Sequence, residues 1–153
     1  MTVAFIVREN IDVTDALQKR IEKVTTNLVV NEWASSFLFT NVGAFDSACY
    51  DFVTKLKRVF PSIQRQYICG ECFYDESDRE RISALYDKYF LPNPEIIISY
   101  ELRDLATIEK CDVLVTCCNI EYQLNAKRIS CTAIAIMHAW KKQKRIINLF
   151  END

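Results

Sequence analysis

The chain has 153 residues, 50% of them hydrophobic and 26% charged, which supplies one domain with a real core and argues against disorder. A formal charge of −2, with lysines and arginines scattered except for Lys141, Lys142, Lys144 and Arg145, excludes a general electrostatic attraction to nucleic acid. No apolar run reaches the length that crosses a bilayer, so no membrane association is expected, and the opening TVAFIVREN has neither the basic start nor the cleavage site of a leader.

In chain order, residues 3–7 form a short β-branched run that reads as a buried strand. Val13, Leu17, Ile21, Val24 and Leu28 then recur at helical spacing, with Asp12 or Thr14 as cap, predicting a helix to about Val29. Residues 37–39 open a second strand. Phe45, Cys49, Phe52, Val53, Leu56 and Phe60 mark a second helix, stopped by Pro61. Residues 63–69 alternate apolar and polar, as suits a strand near a sheet edge.

Past a polar loop, Ile82, Leu85, Tyr86 and Tyr89 predict a short helix, and the isoleucines of residues 95–99 predict a strand. Leu102, Leu105, Ala106 and Ile108 give about two helical turns, and residues 112–118 a strand covered on both faces. Residues 119–128 are polar. The segment 130–142 is helical, with Ala133, Ile136, Met137 and Trp140 on one face, and residues 145–150 close the chain as a strand.

This alternation, without repeats or linkers, predicts a single α/β domain over residues 1–153. It is a three-layer Rossmann-like fold with a mainly parallel sheet of about six strands and helices on both faces. Ligands of such sheets bind beyond the carboxyl ends of the strands, so the loops after Val7, Thr40, Cys69, Ser99 and Cys118 are the candidate ligand loops. They carry Arg8, Glu9, Asn10, Thr40, Asn41, Glu71, Arg103 and Asn119.

The first choice for a ligand loop is Thr40, Asn41, Val42, Gly43 and on to Asp46, where small residues at a helix start leave backbone N–H groups to face an anion. The plainer reading is an ordinary connection capped by Asp46 or Ser47. Arg8 and Arg103 near one mouth suit a phosphate, or pair locally with Glu9 or Asp104. Ser130 and Thr132 offer two hydroxyls at a helix start, for capping, for phosphate, or for both.

Seven cysteines, at positions 49, 69, 72, 111, 117, 118 and 131, lie partly within apolar runs and suit reduced thiols in a cytoplasm. Cys69 and Cys72 form one CxxC, without the further ligands of a structural zinc and without the helix opening of a redox dithiol, so no metal and no cofactor are expected. His138, the only histidine, falls in a helical pattern and reads as a core or surface residue. With Gly43 and Gly70 the whole glycine supply, neither GxGxxG nor a Walker loop exists.

The strand AFIV, the strand FLFT leading to Phe45-Asp46, the segment SYELRDLATIEKCDVLVTCC and the ending SCTAIAIMHAWKKQKRIINLF together resemble one family. It is the YpsA-like branch of the SLOG superfamily, Rossmann-like proteins that include the LOG phosphoribohydrolases and the DprA fold, and the likeness spans nearly the whole chain. In that branch the first strand runs into Gly-His-Arg, the second into Gly-Ser and Glu-Phe-Asp, and Ser-Gly-Thr precedes the last helix. Here Arg8, Phe45, Asp46, Ser130 and Thr132 match, Thr40-Asn41 stands for Gly-Ser, and Cys131 stands for the glycine between the hydroxyls.

The resemblance implies a nucleotide-shaped pocket and a homo-oligomer. The Pro-Gly-Gly-x-Gly-Thr loop and catalytic Glu of the LOG enzymes have no counterpart in residues 130–138. The expected function is therefore non-catalytic binding of a nucleotide or nucleotide-derived signal, to sense or sequester it, through Arg8, Thr40 to Asp46, Arg103, Ser130 and Thr132. The alternatives are a nucleoside monophosphate N-glycosidase, for which Glu71 and Asp46 are the available carboxylates, and a protein-interaction module with a dead pocket.

Overall fold

Six short runs pair into one sheet: β-branched and aromatic residues fill both faces of the three central strands, while the three outer ones keep polar residues on their solvated sides. The computed structural model describes residues 1–69, 76–90 and 99–151. Its strands are β1 (Thr2–Phe5), β2 (Ser36–Phe39), β3 (Gln64–Ile68), β4 (Lys88–Phe90), β5 (Val113–Thr116) and β6 (Arg145–Asn148). All pairings are parallel, in the order β4-β3-β2-β1-β5-β6. The fold is thus α/β, a three-layer Rossmann-like arrangement.

The helices divide between the faces as the strand side chains do. Val3, Phe5, Phe37 and Phe39 point to a core closed by α1 (Asp15–Glu32), α2 (Gly43–Val59) and α3 (Glu76–Leu85) through Leu17, Ile21, Phe45, Val53 and Ile82. Ala4, Ile6, Leu38 and Leu114 point to the other core, closed by α4 (Tyr100–Lys110) and α6 (Cys131–Lys141) through Ile108, Ala135, Ile136 and Ala139. The short α5 (Ile120–Leu124) has no fully buried residue, and its Ile120 packs half-buried against this second core. From β1 the chain winds outward to β4 and then returns to β5 on the other side of β1, so the reversal of strand order lies between β1 and β5.

Several elements differ from the sequence reading. Helix α1 is capped by Thr14, one of the two caps the sequence offers, whose hydroxyl accepts from Leu17 N–H, but it runs past Val29 to Glu32 because its last turn is partly solvated and needs no apolar spacing. Tyr89 belongs to β4, not to the preceding helix, since α3 ends at Leu85. The strand expected at residues 95–99 falls on 95–98, outside the described residues, and Ser99 is instead the cap of α4. Asn119 caps α5 inside the stretch read as merely polar.

Two helices are turned relative to their apolar pattern. Helix α4 buries Arg103, Asp104, Thr107 and Ile108 and leaves Leu102 exposed. Helix α6 buries Thr132, Ala133, Ala135, Ile136 and Ala139, while Met137 and Trp140, expected on the same face as Ala133 and Ile136, are 43% and 52% exposed. The alanines let α6 lie close to the sheet, where the bulk of Trp140 would not fit. Among the described residues no helix is long and apolar enough to cross a membrane.

Candidate functional site at the carboxyl edge of the sheet

Beyond β1 the chain stays buried through Ile6 and Val7 and then delivers Arg8 to the end of the sheet. The Arg8 backbone N–H donates to Thr132 Oγ1 at 2.7 Å, and its Nε donates to Asp104 Oδ2 at 2.6 Å. Nη2 donates both to the second Asp104 oxygen and, at 2.9 Å, to Thr40 Oγ1. One arginine therefore ties together the loops after β1 and β2 and the first turns of α4 and α6. The side chains of Arg8 and Asp104 are 8% and 3% exposed, so this two-pronged pair is nearly dry.

The loop after β2 is shaped by its own aspartate. Asn41 (φ 56°) and Gly43 (φ 84°) take left-handed backbone, and a Cβ on Gly43 would meet nothing within 4 Å, so glycine is needed there for conformation and not for space. The α2 cap is Val42, without a side-chain bond, so neither Asp46 nor Ser47 caps the helix. Asp46 instead accepts from Thr40 N–H at 3.2 Å and Asn41 N–H at 3.0 Å, and the Ser47 hydroxyl donates to Gly43 O. Two of the N–H groups expected to face a ligand thus belong to Asp46.

Asp46 is 3% exposed. Burial pushes its carboxyl up to about 6, against the opposing pull of the Thr40 N–H, the Arg8 charge, the Asn41 N–H and the Arg103 charge.

At the third loop, Ser130 caps α6 by accepting Ala133 N–H at 3.1 Å. Thr132, fully buried, accepts from Arg8 N–H and donates its own proton to Glu9 Oε2, so a single hydroxyl fixes two successive residues of the first loop. The other Glu9 oxygen, Oε1, is buried and has no hydrogen-bond partner among the described residues. Cys131, between the two hydroxyl residues, is exposed.

Glu9 also lines a crevice of about 330 Å³ at the reversal of strand order, bounded by the loops after β1 and β5, the start of α1 and the residues after β6. That volume lies at the lower end of the roughly 300–1,000 Å³ of small-molecule sites, and the position is the one where open parallel sheets bind ligands. Ile11, Leu17, Cys117, Cys118 and Phe150 supply apolar wall, and Glu9, Asp12, Arg20, Asn119 and Glu151 supply polar groups. Arg20 donates to Glu151 at 2.5 Å.

The sequence-derived residues thus divide. Arg8, Thr40, Asn41, Asp46 and Thr132 meet in one hydrogen-bonded cluster, with Arg103 buried beside it and close enough to act on the Asp46 charge. Val42, Gly43 and Ser130 shape the helix starts. Glu71 lies outside the described residues. The acid that pairs with Arg8 is Asp104, which the sequence had offered as a partner for Arg103; its signal was an ionisable pair at helical spacing from Thr107 and Ile108, on what became the buried face of α4.

Cys118, in the crevice wall, and Cys69, near Arg103, are not activated thiols. Burial pushes the Cys69 thiol up to about 12 and that of Cys118 to about 11, away from the lowered values of redox-active thiols; Cys72 falls outside the described residues. His138 sits 3.1 Å from Glu109 on the outer side of α4 and α6. Among the described residues no group of three or more His, Cys, Asp or Glu side chains is placed to hold a metal ion. In comparisons with known proteins, the chain matches no protein-family model and no curated protein.

Proposed function

We propose that this protein binds a nucleotide or nucleotide-derived small molecule at the carboxyl edge of its sheet and holds it without turnover, as a sensor or a sequestering protein. The observation that carries the reading is the position of Arg8. It joins Thr40, Asp104 and Thr132 into one buried frame directly beside the crevice at the strand-order reversal. A frame of this kind fixes loop geometry in advance, which lowers the ordering cost of binding. The resemblance to YpsA-like SLOG proteins supports the same class of ligand.

The glycosidase alternative asks for a carboxyl group free to move a proton to or from a substrate. Asp46 serves it poorly, because both of its oxygens accept backbone N–H groups of its own loop and the residue is buried.

A thermal-shift screen of the whole chain with nucleosides, nucleoside mono-, di- and triphosphates, cyclic dinucleotides and ADP-ribose derivatives tests the proposal. A ligand that prefers the native state raises the melting temperature, by about 2.7 kcal/mol of added stability at a hundredfold excess over Kd. At least one compound should do so and be recovered chemically unchanged. No shift with any of them rejects binding, and release of free base from a monophosphate replaces the reading with catalysis.

A further inference from the structure

We infer that the crevice between the β1 and β5 loops receives the uncharged sugar-and-base part of the ligand, through hydrogen-bond donors directed at Glu9, and does not receive a phosphate. The inference rests on the nucleotide-binding reading and adds the orientation of the ligand to it. Three carboxylates, Glu9, Asp12 and Glu151, line the crevice against one guanidinium, that of Arg20, whose charge is already engaged by Glu151. An anion entering there meets net repulsion at short range, where solvent screens least.

Glu9 is set up for a donor. One of its oxygens is held by the Thr132 hydroxyl and the other is buried without a partner among the described residues, so the carboxylate gains by turning toward a donor that enters the crevice it lines. Ribose hydroxyls and base N–H groups are such donors, and a dianionic phosphate has none to give. The apolar wall of Leu17, Cys117 and Phe150 suits the faces of a base or sugar and offers a phosphate nothing. In the neighbouring cluster Arg8 is balanced by Asp104 and Arg103 lies close to the Asp46 carboxylate, so neither reverses the sign of the crevice.

Calorimetric titration of the four common ribonucleosides and their 5′-monophosphates into the wild-type chain and into Glu9→Gln provides the test. The glutamine keeps an acceptor for Thr132 and removes the charge. At least one nucleoside should bind the wild type and lose about tenfold or more in affinity in Glu9→Gln, as expected for hydrogen bonds to a charged acceptor. If Glu9→Gln leaves nucleoside affinity unchanged, the orientation is wrong while nucleotide binding stands.

If no nucleoside and no monophosphate binds, this inference fails, and the functional reading survives only if the wider thermal-shift screen finds another ligand. A second measurement needs no variant. Inorganic phosphate added at millimolar concentration to the wild-type complex should not displace the nucleoside, and competitive displacement overturns the inference even if Glu9→Gln fails to fold.

Discussion

Arg8 and Asp104, 96 positions apart in sequence, form a two-pronged ion pair at the centre of the carboxyl edge, and both side chains are more than nine-tenths buried. Removing water from two charges is expensive, and their attraction repays it only while both are present. Asp104→Ala should therefore cost about 3–5 kcal/mol in urea unfolding, because it strands the guanidinium. Arg8→Met combined with Asp104→Leu should recover most of that loss and still abolish the proposed ligand binding. A loss below about 1 kcal/mol in the single variant contradicts a dry, mutually dependent pair.

Asp46 should make the protein more stable on mild acidification. Its folded value of about 6 lies above the 3.8 of the unfolded chain, so between these values the native state binds the proton more readily and stability rises as pH falls. From pH 7 to pH 5 the gain is about 1 kcal/mol for this group alone. Asp87 and Glu109, whose values are lowered by Arg65 and Lys142 among other partners, lose stability only as pH falls below the ordinary carboxylate range, outside that window. Urea midpoints should therefore rise from pH 7 to pH 5 in the wild type and lose that rise in Asp46→Asn. An identical pH dependence in both proteins removes Asp46 as the cause.

The described strands other than β4, whose Tyr89 reads as part of a helix, and the α1 and α2 helices were legible in the sequence because their buried faces are mostly apolar, and apolar spacing is what sequence reading detects. The register of α4 and α6 was not. Arg103, Asp104, Thr107 and Thr132 turn inward because α4 and α6 face the polar cluster around Arg8, and Leu102, Met137 and Trp140 turn outward in exchange. The same inversion hid part of the site. Arg8, Thr40, Asp46 and Thr132 were found by their loops, but the pairing of Arg8 with Asp104 and the closing of Thr40 and Asn41 N–H groups onto Asp46 depend on tertiary geometry that spacing does not encode.

The orientation of α6 separates two substitutions that sequence reading would treat alike. Ile136 is 2% exposed in the core between α6 and the sheet, so Ile136→Ala should cost about 2–5 kcal/mol. Met137 is 43% exposed, and Met137→Ala should stay within about 0.5 kcal/mol of the wild type. Guanidinium denaturation of the two variants measures both. Equal losses would place Met137 in the core and require a different rotation of the helix.

Thr132 is the position where shape and hydrogen bonding come apart most cleanly. Its hydroxyl accepts the Arg8 backbone N–H and donates to Glu9, and the residue is fully buried, so water cannot replace either partner. Thr132→Val keeps the branched shape and removes both bonds, leaving a buried donor on Arg8 and, among the described residues, a Glu9 carboxylate without a partner. The expected cost is about 1–3 kcal/mol, the penalty of unsatisfied buried groups. Amide hydrogen exchange should locate the change, with protection lost first at Arg8, while the amides of α1 and β2 retain theirs. Thr132→Ser keeps the hydroxyl and should keep protection at Arg8, at the cost of one buried methyl group. If Thr132→Val and Thr132→Ser behave alike, the hydroxyl does not hold the first loop, and the frame around Arg8 must be maintained by Asp104 and Thr40 alone.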